Sequence, residues 1–261
     1  MEDFPPVFVI SLIEAIERRE RMTQIMDDLK IPFTFIDAVD GRDFGMSAHP
    51  NYDRAKRLKY FGRDLKGGEL GCTLSHKKAY EKMVKDNICQ AIIFEDDVIL
   101  YDGFVETVKA LQNCPVPFDM VRFMGRDKVL NAKQRKIIPL TNNVNLTRLC
   151  ATPGGTYAYL ITKHGAQKLL PHLERTAYPI DALVGRSWET GLNWLTVNKR
   201  LASVDYDLSS YIGEARFNKT LEIKGLVKIT YPFYRLWFRL CETCGKKYWC
   251  FKNFFKDKKY G

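Results

Sequence analysis

Ala91-Ile92-Ile93-Phe94-Glu95-Asp96-Asp97 decides how this 261-residue chain is read. Four apolar residues form a run of strand length, and a continuous apolar run is buried on both faces. It stops abruptly at three adjacent carboxylates. In open α/β sheets ligands bind beyond the carboxyl ends of strands. Neighbouring carboxylates repel one another and need a cation or strong donors to stay ionised. Hard oxygen donors suit Mg2+ or Mn2+. In an extended segment residues i and i+2 face the same side, so Glu95 and Asp97 share a face and Asp96 points away. Asp97 is the expected direct metal ligand. Glu95 is a second ligand or the acceptor for a ribose hydroxyl. A solvated acidic turn is the plain alternative.

Strands and helices alternate outward from this point. Val7-Phe8-Val9-Ile10 is a buried strand, followed by a charged helix across residues 14–30 that Pro32 closes. Phe33-Thr34-Phe35-Ile36 is a second strand and runs into Asp37-Ala38-Val39-Asp40-Gly41. Residues 42–68 are polar and basic, and read as a long loop. Helices follow over 69–86 and 104–111, strands over 120–124 and 157–161, and a helix over 163–173. This alternation implies an α/β fold with a mostly parallel sheet.

Net charge is +10, yet the segment from Lys224 to Gly261 alone holds ten Lys or Arg against two acids and also eleven aromatics. The division expected is a body over 1–223 and a basic, aromatic segment over 224–261. Such a segment suits an anionic surface with an apolar layer, or nucleic acid. Pro232 is expected to interrupt any single helix there. The N-terminus lacks a basic leader, and no apolar run reaches the ~18 residues of a bilayer span. Seven scattered cysteines read as reduced thiols of a cytosolic protein. Cys241, Cys244 and Cys250 hint at zinc but lack a fourth ligand nearby.

Four segments together resemble glycosyltransferase family 25, the bacterial lipopolysaccharide and lipooligosaccharide transferases related to the collagen galactosyltransferases. They are Phe8-Val9-Ile10-Ser11-Leu12 with Phe35 to Gly41; Gly68-Glu69-Leu70-Gly71-Cys72-Thr73-Leu74-Ser75-His76; Ala91 to Val98; and Gly155-Thr156-Tyr157-Ala158-Tyr159-Leu160-Ile161-Thr162 with Pro179-Ile180-Asp181. The resemblance spans about residues 7–185 and does not cover the basic segment.

It implies a GT-A fold, a UDP-sugar donor with UDP-galactose favoured, and Mn2+ or Mg2+ at Glu95-Asp96-Asp97. It further implies inversion at the anomeric carbon and a β-1,4 linkage in many relatives. Ser11, Leu12, Ala38, Val39, Asp40, Ser75, His76, Glu95, Asp96 and Gly155 fall where the donor binds. Arg18 and Arg19 are available to offset diphosphate charge. Asp181 matches a position near the active site and is assigned as general base, with Glu189 as substitute. An N-cap explains Asp181 equally simply. No His follows His172, so a late metal ligand falls to Asp205, Asp207 or water.

The function expected is metal-dependent hexosyl transfer to a lipid-linked oligosaccharide acceptor. Its expected location is the cytoplasmic face of a bacterial inner membrane, contacted through 224–261, with no nucleic-acid partner. The alternatives are an inactive family member that binds without turnover, an anionic-lipid or nucleic-acid-binding protein, and a nucleotidyltransferase. The sequons at Asn145 and Asn218 are irrelevant in a bacterial cytosol.

Overall fold

The computed structural model describes residues 4–124, 126–152, 154–205 and 220–260. Among them the elements run β1 (Val7–Ser11), α1 (Ile16–Asp28), β2 (Phe33–Asp37), α2 (Arg54–Phe61), α3 (Gly67–Lys85), β3 (Gln90–Glu95), β4 (Val98–Leu100) and α4 (Phe104–Gln112). Next come β5 (Met120–Arg122), α5 (Asp127–Leu130), β6 (Gln134–Pro139), β7 (Asn145–Leu149), β8 (Ala158–Thr162) and α6 (Lys163–Leu173). The remainder is α7 (Ile180–Val184), α8 (Ser187–Thr190), β9 (Trp194–Val197), β10 (Ala202–Val204), α9 (Leu226–Lys252) and α10 (Phe254–Lys258).

Eight strands form one sheet in the order β2-β1-β3-β8-β5-β9-β7-β6, and β10 pairs with β4 in a small second sheet. The pairing senses make β7 and β8 run against the other six. The α/β architecture is therefore as the sequence implies: one strand direction dominates a mixed sheet. The parallel trio β2-β1-β3 puts Ser11 beside Asp37 and Ile10 beside Glu95, so three strand ends meet at one edge.

Alternation along β3 divides the core. Ile92 and Phe94 pack with Met22 and Met26 of α1 and Phe104 and Val108 of α4. Ala91 and Ile93 pack with Tyr80 and Met83 of α3 and Leu169 and Leu173 of α6. Helices thus cover both faces of the sheet, which explains why β3 has no polar side between Gln90 and Glu95.

Several expectations are corrected. Residues 42–68 are not one loop: α2 lies within them, capped by Asp53, whose carboxylate accepts from the Lys56 N–H, and ended by Gly62 at φ 71°. Its charged composition hid it, but the cap and the glycine stop are standard helix signals. Pro232 does not break α9, which continues through it. It lies in the second turn, where it removes one hydrogen bond, and downstream contacts hold the helix.

Nor are all cysteines free: Cys150, just after β7, is bonded to Cys250 in α9. That pairing also removes Cys250 from any zinc site, while Cys241 and Cys244 are exposed. Sequon residue Thr147 is buried in β7, its hydroxyl bonded to Gln134 Oε1. Asn218 lies outside the described residues.

Candidate active site

A cleft opens where β1, β2 and β3 end, lined by Leu12, Ala38, Val39, Asp40, Gly68 and the Glu95-Asp96-Asp97 turn. Glycines let its walls close up. A Cβ on Gly71 would lie 2.6 Å from the Val39 carbonyl oxygen, and one on Gly41 would lie 2.0 Å from that of Gly67. Only bare backbone allows the loop after β2 to touch the start of α3. Ser75 then fastens the two: its hydroxyl accepts from the Val39 N–H at 2.8 Å and donates to the Gly71 carbonyl at 2.7 Å. Ser75 therefore sets the wall, and its hydroxyl is already committed.

The three carboxylates have different surroundings. Asp96 is buried and clamped, accepting from Ser11 Oγ at 2.6 Å and Arg18 Nη1 at 2.7 Å. Ser11, Arg18 and Asp96 thus form a mutually bonded set in the wall of the cleft. Arg19 is engaged as well, with the Leu12 carbonyl at 3.0 Å and the Asp37 carboxylate.

Asp97 is half-buried and no side chain donates to it in this way. Burial pushes its carboxyl up to about 7, Glu95 and Asp96 push the same way, and Arg18 opposes them. Its Oδ1 is buried with no hydrogen-bond partner. Glu95 accepts weakly from Thr156 Oγ1 at 3.3 Å.

His76 does not face the cleft. It is fully buried, with Nδ1 2.6 Å from the Tyr159 hydroxyl, which lies 2.8 Å from that of Tyr80. Its Nε2 is 3.5 Å from Glu95 Oε1 and makes no hydrogen bond. This corrects the donor contact expected of His76: its reach ends at Glu95. Cys72, His76 and Glu95 bring one donor atom each within 4.8 Å of one another.

Asp181 sits in the first turn of α7, so it is not an N-cap. Its carboxylate accepts from the Ala182 N–H at 2.7 Å and the Gly155 N–H at 3.2 Å. A Cβ on Gly154 would lie 2.7 Å from Asp181 Oδ2, so the glycine pair admits this carboxylate. Thr73 Oγ1 accepts from the Ile180 N–H at 3.1 Å and ties α7 to α3. Burial pushes the Cys72 thiol well up, and the carboxylates of Glu95, Asp181 and Asp97 push it the same way.

Glu189 belongs elsewhere. It binds Arg186 at 2.6 Å on α8, the helix that packs on α9, and the substitute-base assignment is corrected accordingly. Asp40 is exposed at the rim, and the Arg42 guanidinium beside it holds its carboxyl below the usual range. Asp205 pairs with Arg21 at 3.4 Å, and its N–H donates to the Asp97 carbonyl at 2.8 Å. Asp207 lies outside the described residues.

Sequence reasoning missed Arg122. It is buried at the end of β5, donates to the Gly155 carbonyl, and is lowered by burial to about 10 while Asp181 raises it. A lone arginine in an apolar strand was the available signal.

The donor set fits a divalent cation. Neighbouring carboxylates at a cleft, with an orphaned Asp97 oxygen whose burial disfavours charge, describe a place a cation would neutralise. Asp97 and Glu95 are the residues to hold it.

Sheet and cleft define an α/β protein with an acidic site at parallel strand ends. A family model described as glycosyltransferase family 25 (LPS biosynthesis protein) matches residues 4–184, and the chain belongs to that family. It is 32% identical over 194 residues to human inactive glycosyltransferase 25 family member 3, covering 68% of this chain and 31% of that one. To procollagen galactosyltransferase 1-A of Xenopus laevis it is 29% identical over 179 residues, covering 64% and 28%. The chain therefore spans under a third of the length of these relatives. Among solved structures, the inositol-1-phosphate CTP transferase of T. maritima aligns with a TM-score of 0.41 at 12% identity, covering 85% of this chain and 98% of that one.

Proposed function

We propose that this chain transfers a hexose, galactose from UDP-galactose in the favoured case, to a lipopolysaccharide or lipooligosaccharide sugar with inversion. The observation that carries the proposal is the buried, unpartnered Asp97 Oδ1 beside Glu95 at the strand ends. Asp97 and Glu95 would hold Mn2+ or Mg2+. When bound, the cation supplies charge stabilisation for a departing nucleoside diphosphate.

The chain's own residues do the rest. Asp96, locked by Ser11 and Arg18, fixes the turn so that its neighbours keep their direction. Ala38, Val39 and Leu12 offer apolar and backbone surface to the nucleoside, and Asp40 stands at the rim. Asp181, oriented by two backbone N–H groups, accepts the proton of the acceptor hydroxyl. The β-1,4 linkage and the lipid-linked acceptor belong to the same proposal.

The proposed location is the cytoplasmic face of a bacterial inner membrane. The Cys150–Cys250 bond is the feature that favours an oxidising compartment instead. Counting alkylatable thiols on protein taken directly from cells distinguishes the two.

The test is calorimetric titration of UDP and several UDP-sugars into wild type and Asp97→Ala, with Mn2+ and with EDTA. UDP binding that requires both metal and Asp97 supports the donor site. Absence of UDP binding under every metal condition refutes it. Binding without turnover is the second reading, favoured by the 32% identity to a relative named as inactive. UDP bound but never released from UDP-galactose in the presence of acceptor sugars supports that reading.

A further inference from the structure

The two faces of α9 have opposite fates. Tyr231, Arg235, Phe238, Glu242, Gly245, Trp249 and Asn253 recur at gaps of three or four and mark the face that docks on the protein. The Tyr231 hydroxyl donates to the Phe61 carbonyl, and Arg235 donates to that of Tyr60. Phe238 stacks among Tyr60, Phe61 and Tyr178. Glu242 faces Arg186 at 3.8 Å, and Gly245 lies so close to Trp188 that a Cβ would meet its ring at 2.5 Å.

The opposite stripe is Leu226, Ile229, Phe233, Trp237, Leu240, Tyr248 and Phe251, again at helical spacing, with Leu236 alongside. All are exposed, Leu226 by 80%, Phe233 by 74% and Phe251 by 69%. Phe255 of α10 extends the apolar surface. A stripe this long and apolar on a surface helix marks an interaction site.

Charge identifies the occupant. Lys228, Arg239, Lys247 and Lys252 flank or interrupt the stripe, and Lys256, Lys258 and Lys259 continue beyond it. The segment's two acids are taken up within the protein: Glu242 by Lys246 at 3.1 Å and Arg186 at 3.8 Å, and Asp257 by Arg135 and Arg148. The outer face is thus apolar with a cationic border. A second copy would bring like charge against like charge. No helix among the described residues is long and apolar enough to cross a membrane.

We infer that α9 lies along an anionic lipid surface, its apolar stripe in the acyl boundary and its cations on the headgroups. The inference is independent of the donor reading. The Cys150–Cys250 bond and the contacts of Asp257 fix the helix to the body, so the lipid surface would hold the whole protein in one orientation.

The experiment is flotation of the full chain with phosphatidylcholine vesicles, with and without roughly a third of phosphatidylglycerol. Wild type is expected to float with the anionic vesicles and to weaken at high salt. Phe233→Glu with Trp237→Glu should lower partitioning about tenfold or more, since each large apolar side chain returned to water forfeits at least that much. Lys228→Ala with Arg239→Ala should lose about fivefold per cation on anionic vesicles alone. Circular dichroism melts check that the variants are folded.

Wild type that floats with neither vesicle overturns the inference. So does a Phe233→Glu, Trp237→Glu protein that floats as well as wild type. A soluble dimer that the same substitutions split, without vesicle binding, assigns the stripe to a second copy and also overturns it.

Discussion

Asp97→Asn should make the metal-free protein more stable at pH 8 while removing its response to Mn2+. In wild type the Asp97 carboxyl is pushed up to about 7 by burial and by Glu95 and Asp96, from an ordinary value of 3.8. Between those values the folded state holds a proton that the unfolded chain has released. Stability therefore falls as pH rises through that window. From pH 5 to pH 8 about two pH units of that window are crossed, which corresponds to about 2.6 kcal/mol. At roughly 2 °C per kcal/mol for a chain of this size, Tm should drop by about 5 °C from pH 5 to pH 8. Mn2+ should restore most of that loss at pH 8 and do little at pH 5, where a proton occupies its ligand. The assay is a calorimetric melt of wild type and Asp97→Asn at both pH values, with EDTA and with Mn2+. A wild-type Tm unchanged between the two pH values in EDTA would refute the buried-carboxylate account. So would an equal Mn2+ shift in the Asn variant.

Gly154→Ala places a methyl group 2.7 Å from Asp181 Oδ2 and must displace that carboxylate. Turnover should fall about tenfold or more with UDP affinity unchanged, as steady-state kinetics and calorimetry will reveal. Tyr159→Phe strips His76 Nδ1 and the Tyr80 hydroxyl of a shared buried partner. It should cost about 1–3 kcal/mol in urea unfolding. Cys250→Ser opens a link between residues 100 positions apart and should remove about 2–5 kcal/mol, with reduced wild type behaving alike.

The parts of the fold legible in the sequence were those whose signal is local. β1 and β3 are apolar runs, and the carboxylates that end β3 mark a strand end whatever surrounds them. α2 was hidden because its charges surround it, although Asp53 and Gly62 announce its limits. The β6–β7 hairpin escaped because its strands are largely polar and charged, and β9 because it is only four residues long. At the site, alternation placed Asp96 opposite its neighbours, but its partners Ser11 and Arg18 lie 85 and 78 positions away. The orientation of His76 depends on Tyr159, 83 positions on. Glu189 and Asp181 look alike in the sequence. Arg186 claims the first, and two glycines make room for the second.

The buried Arg148 in β7 donates to both carboxylate oxygens of Asp257, 109 residues further along the chain. At roughly 5–20 residues per second, a ribosome takes about 5–20 s to supply that carboxylate. Throughout that interval β7 carries a charge that its final surroundings cannot leave unmatched. The far edge of the sheet is thus obliged to stay open to water until α10 has been made. The strand-end cleft is built from segments translated well before that. Synthesis order therefore separates the two ends of the sheet in time: the cleft side can close first, and the C-terminal helices are the piece that seals the other.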